Sequence, residues 1–84
     1  MTRYCKNCNS SPHDLLIKAI NHFGPEGLGM RIKEKMDGNR ECSASLSDDR
    51  SYVYIKATRN EKGTELEMQS CKCDEQVKGF LEWI

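Results

Sequence analysis

Leu15, Leu16, Ala19, Ile20 and Phe23 recur at the three- and four-residue spacing of one helical face, and Gly24-Pro25 ends the run. Ahead of them, Ser10-Ser11-Pro12-His13-Asp14 reads as a helix start. Ser11 can accept from orphan N–H groups, Pro12 takes the first helical position, and Asp14 sits in the first turn. The pattern predicts an amphipathic helix of roughly three turns.

From Leu28 onward the period drops to two. Leu28, Met30 and Ile32 alternate with polar or small neighbours, as do Cys42, Ala44 and Leu46, then Val53, Ile55 and Ala57, then Leu66 and Met68. Short turn signals separate these runs: Asp37-Gly38-Asn39, Ser47-Asp48-Asp49-Arg50 and Asn60-Glu61-Lys62-Gly63. Four half-buried strands joined by short turns predict an antiparallel meander. After Cys73, Asp74 can cap a second helix with Val77, Phe80, Leu81 and Ile84 on one stripe.

The expected fold is therefore α+β: a two-layer α-β-β-β-β-α unit, a four-stranded antiparallel meander with two helices packed on one face. Its core should comprise Leu16, Ile20, Phe23, Ile32, Ala44, Leu46, Val53, Ile55, Leu66, Met68, Val77, Phe80 and Leu81. Residues 10–84 form the single domain. Residues 1–9 show no apolar pattern and are expected to be a loosely ordered, cysteine-containing segment.

Composition narrows the function classes. The 84 residues allow one core, and thirteen Lys and Arg balance thirteen Asp and Glu, so net charge gives no drive toward nucleic acid or anionic lipid. The longest apolar stretch, Leu15-Leu16-Ile17, is too short to span a bilayer, and the opening residues lack the apolar core of a signal peptide. A cytoplasmic location with reduced thiols is the expectation, and the odd number of five cysteines argues against a complete disulfide framework.

Two cysteine pairs carry the candidate chemistry: Cys5-Lys6-Asn7-Cys8 and Cys71-Lys72-Cys73. Each lies just before an expected helix N-terminus and encloses a lysine, and both features favour thiolate, the species that binds soft metals or attacks disulfides. Four thiolates would close a tetrahedral structural zinc site, so Cys5, Cys8, Cys71 and Cys73 are the candidate metal ligands and zinc the candidate cofactor. The meander itself raises an objection. It places Cys71 and Cys73 at one end of the layer and the start of the first helix at the other, about 18 Å away for twelve helical residues. A Cys5–Cys8 redox dithiol is the rival reading, but it lacks the βαβ setting usual for that chemistry. Cys42 alternates with core residues and reads as a buried thiol.

The sheet face opposite the helices should present Arg31, Lys33 and Lys35 on the first expected strand, Glu41, Ser43 and Ser45 on the next, Tyr52, Tyr54 and Lys56 on the third, and Glu65, Glu67 and Gln69 on the last. Tyr52 and Tyr54 with Arg31 and Lys33 are the candidate partner-binding residues, since half-exposed tyrosines with basic neighbours can anchor a protein or stack bases.

The order helix, antiparallel strands, helix, with Gly24-Pro25 after the first helix, resembles the double-stranded RNA-binding domain. That family has three strands and a lysine-rich start to its second helix, whereas this helix begins Asp74-Glu75-Gln76, which repels phosphate. The family is not carried over; a protein at the sheet face is the partner class the tyrosines leave open, beside the plainer reading of an ordinary solvated surface, with nucleic acid disfavoured and no membrane. No nucleophile–base pair, phosphate-cradling loop or paired-carboxylate site stands out, so enzymatic activity has no positive support. The chain reads as a small non-enzymatic binding domain.

Overall fold

The computed structural model describes residues 1–38 and 40–84, with residue 37 as backbone alone. Asn39, the last residue of the first expected turn, lies outside them. The elements run β1 (Thr2–Cys8), α1 (Pro12–Phe23), β2 (Arg31–Asp37), β3 (Glu41–Ser47), β4 (Tyr52–Asn60), β5 (Gly63–Cys71) and α2 (Asp74–Trp83). The sheet is five-stranded and antiparallel throughout, in the order β1-β5-β4-β3-β2.

The α+β class and the four-strand meander are present as read, and a fifth strand joins them. The segment expected to be loose is β1, paired along its length with β5 from Thr2 opposite Ser70 to Cys8 opposite Thr64. Its alternation is masked in the sequence by Lys6, which falls between Tyr4 and Cys8 on the inward side. Lys6 keeps its stem against the helix layer and donates from Nζ to the carbonyls of Leu81 and Ile84, the latter at 3.4 Å. A cation at those carbonyls complements the negative end of α2, so a polar residue serves an inward position.

Helix α1 lies over β3 and β4, and α2 over β5. Ser11 caps α1 by accepting from the Asp14 N–H at 3.2 Å, and Gly24 closes it with a bond to the Ile20 carbonyl at 2.7 Å. One apolar cluster joins both helices to the sheet through Leu15, Leu16, Phe23, Leu46, Val53, Ile55, Leu66, Met68, Val77 and Phe80. The rings of Phe23 and Phe80 meet at 5.4 Å between centroids, which locks the two helices together over the sheet. Ile20 and Leu81 sit at the margin of this cluster, partly buried.

Ile32 departs from the reading: it is 40 % exposed. Strand β2 is an edge beyond the reach of α1, and its register shifts between Ile32, opposite Leu46, and Glu34, opposite Ser45. Lys33 has no opposing residue and is the extra residue of a β-bulge. Past the bulge every side chain changes face. Glu34 and Met36 therefore join the face without helices, and Lys35 leaves it, the opposite of simple alternation.

The β3–β4 turn is held by Asp48, whose Oδ1 accepts from the Arg50 N–H at 2.8 Å, the Ser51 N–H at 2.7 Å and the Ser51 hydroxyl at 2.8 Å. These bonds favour the charged carboxylate and hold its pKa below the usual value.

Candidate binding face and the thiols

The register builds the helix-free face row by row. One row runs Arg31, Ser47, Tyr52, Cys71; the next Glu34, Ser45, Tyr54, Gln69, Arg3; the third Met36, Ser43, Lys56, Glu67, Cys5. Ser43, Ser45 and Ser47 are buried although no helix covers them. Their side chains are the smallest in each row, and the Tyr52 hydroxyl comes within 3.2 Å of Ser45 Oγ, one row away, so the phenol lies across β3. The result is a serine-floored strip bordered by the half-buried Tyr52 and Tyr54 on one side and by Glu34 and Met36 on the other. Among the described residues, Ser47 Oγ, in a residue 4 % exposed, has no hydrogen-bond partner.

Charge on this face is internally balanced. Arg3 pairs with Glu67, Lys56 with Glu41 at 3.6 Å and Arg31 with Asp49 at 3.5 Å. The Glu67 pairing raises the pKa of Arg3. The acidic edge expected on β5 is thus covered by β1, and Arg3 meets it. The sequence reading missed Arg3 and Met36 as residues of the face; the first required knowing the β1–β5 pairing, the second the bulge.

The structure does not bring the four candidate metal ligands together. Cys5 and Cys8 are three positions apart on one strand, which puts them on opposite faces and about 10 Å apart along it. That separation also exceeds what a disulfide can bridge. Cys5 stands opposite Glu67 on the open face; Cys8 stands opposite Thr64 and packs against the core. Cys71 ends β5 opposite Tyr52, about 13 Å along the sheet from the level of Cys5. Lys72, at φ 63°, then turns the chain into the helix layer, where Cys73 is buried at the N-cap of α2. Its Sγ donates to the Tyr52 carbonyl at 3.4 Å and lies 3.3 Å from Ser70 Oγ. Among the described residues no group of three or more His, Cys, Asp or Glu gathers to hold a metal ion. These residues do not fit one tetrahedral zinc. Cys42 is a buried thiol directed at the Gly38 carbonyl, 3.9 Å away, as its alternation implies.

Beside Cys73, the Asp74 carboxylate faces Tyr4 from β1; burial and then this charge raise the phenol's pKa. Thr2 Oγ1 donates to Asp74 Oδ2 at 3.5 Å, which ties β1 to the start of α2.

A thiol reagent applied to native protein should modify Cys5 first and Cys42 and Cys73 at least roughly a hundredfold more slowly, because buried thiols react only through opening. Mass spectrometry of the time course reads this directly. Equal rates at all five would refute the assigned burial.

Compared with protein-family models, with curated proteins and with solved structures, the chain finds no match. Among the described residues no helix is long and apolar enough to cross a membrane.

Proposed function

We propose that this chain is a small binding domain that recognises a protein through the helix-free face of its sheet. The carrying observation is the pair of half-buried tyrosines, Tyr52 and Tyr54, set beside a strip of small serines with each basic neighbour in the rows already paired to a carboxylate. Tyrosines present large, rigid contact area at little entropic cost, and the small serines let the Tyr52 phenol lie across β3 as part of that surface. Paired cations suit a protein surface of mixed charge better than a polyanion, whose binding rests on free cations releasing counterions. Of the sequence-read partner residues, Tyr52, Tyr54 and Arg31 share this face, and Lys33 borders it at the bulge.

The test is site-specific photocrosslinking in cells producing the tagged protein, with the crosslinker at position 54 and, for comparison, at Lys78 on the exposed side of α2. One discrete adduct from position 54 only, lost when Tyr52 is replaced by Ser in a folded variant, supports the reading. The same adducts from both positions, or none from 54, would sink it.

A further inference from the structure

The register places two arginines opposite each other at one end of the sheet. Glu41 faces Thr58, so the next pair outward is Arg40 and Arg59, and the Arg59 N–H donates to the Arg40 carbonyl at 2.7 Å. Like charges directly opposite on neighbouring strands repel. Elsewhere on the sheet Arg3, Arg31 and Lys56 each have a carboxylate within ion-pair distance. Among the described residues neither Arg40 nor Arg59 forms such a pair.

Arg40 and Arg59 line a surface cavity of about 330 Å³ together with Asn60 and Glu61. The Asn60 side-chain oxygen accepts from the Lys62 N–H at 2.9 Å, and that bond does not use its amide N–H₂ donors. Glu61 is the one carboxylate among the described residues of the wall, and it opposes an anion.

We propose that the Arg40–Arg59 cavity binds the dianionic phosphate group of a small phosphomonoester. Two guanidinium forks offer paired N–H donors in the geometry that phosphate oxygens accept, and two positive charges match a dianion where one carboxylate or a diester would leave the repulsion half relieved. The cavity is separate from the tyrosine face and does not depend on its role.

Amide-shift titrations of the labelled protein at constant ionic strength test this, using inorganic phosphate, phenyl phosphate, dimethyl phosphate and acetate as probes. Phenyl phosphate should give saturable shifts at Arg40, Arg59, Asn60 and Glu61, with dimethyl phosphate and acetate about tenfold weaker, the difference expected for losing one charge-assisted bond. Saturation by inorganic phosphate alone would assign the site to the free ion and overturn the monoester. R40Q and R59Q, each checked for an intact spectrum, should weaken binding about tenfold, whereas E61Q should strengthen it. Shifts that do not saturate, that are equal for all four anions, or that survive R59Q would overturn the proposal. If either glutamine variant fails to fold, E61Q still decides, since unchanged affinity there contradicts a phosphate on that wall.

Discussion

Replacing Phe80 by alanine is expected to remove about 3 to 5 kcal/mol of stability, the range for a large aromatic deleted from a core that cannot collapse around the void. Phe80 is fully buried, touches the ring of Phe23 and sits where both helices meet the sheet. A domain of this size has about 4 to 13 kcal/mol in total, so the loss takes a large share of it. Trp83 is the internal control. It lies on the same helix at 65 % exposure, and its replacement by alanine should cost far less. Urea unfolding of both variants measures the difference, and a similar midpoint shift for the two would mean that the α2 stripe is turned the wrong way.

Gly63→Ala should have the second largest effect, and a local one. Gly63 opens β5 at φ 130°, a region L-residues rarely occupy, and a Cβ there would stand 2.6 Å from the Cys8 carbonyl oxygen. The backbone conformation alone costs about 1 to 3 kcal/mol for a non-glycine residue. The clash adds to this by pushing the end of β1 off β5. Hydrogen exchange should therefore show faster exchange at β1 amides while β3 and β4 keep most of their protection. Unchanged protection in β1 would contradict the close approach of the two strands.

Both variants probe what the sequence pattern disclosed unequally. Phe80 was legible because Val77, Phe80 and Leu81 repeat at helical spacing and the preceding Asp74 marks a start. The same holds for Val53, Ile55 and Ala57, whose strict alternation matches their burial in β4. Cys42 also behaves as its place between polar neighbours implied. The thiol pairs read otherwise. C-x-x-C spacing suggests a metal loop only where the backbone curls, and in an extended strand the same spacing sends the two sulfurs to opposite faces. Nothing local to Cys5-Lys6-Asn7-Cys8 distinguishes those cases; pairing with β5 does.

Periodicity in this chain determined the two helices, the four strands β2 to β5, their order as a meander and most of the buried set, because each rests on a pattern within a dozen neighbouring residues. Tertiary structure alone decided three things. Strand β1 exists because β5 supplies its hydrogen bonds and the end of α2 supplies carbonyls for Lys6, partners more than fifty residues away in the chain. The bulge at Lys33 exchanged the faces of Lys35 and Met36, since one extra residue in a strand of period two inverts everything beyond it. The opposition of Arg40 and Arg59 arises only once β3 and β4 lie in register, when two charges nineteen positions apart become neighbours across a hydrogen-bonded pair.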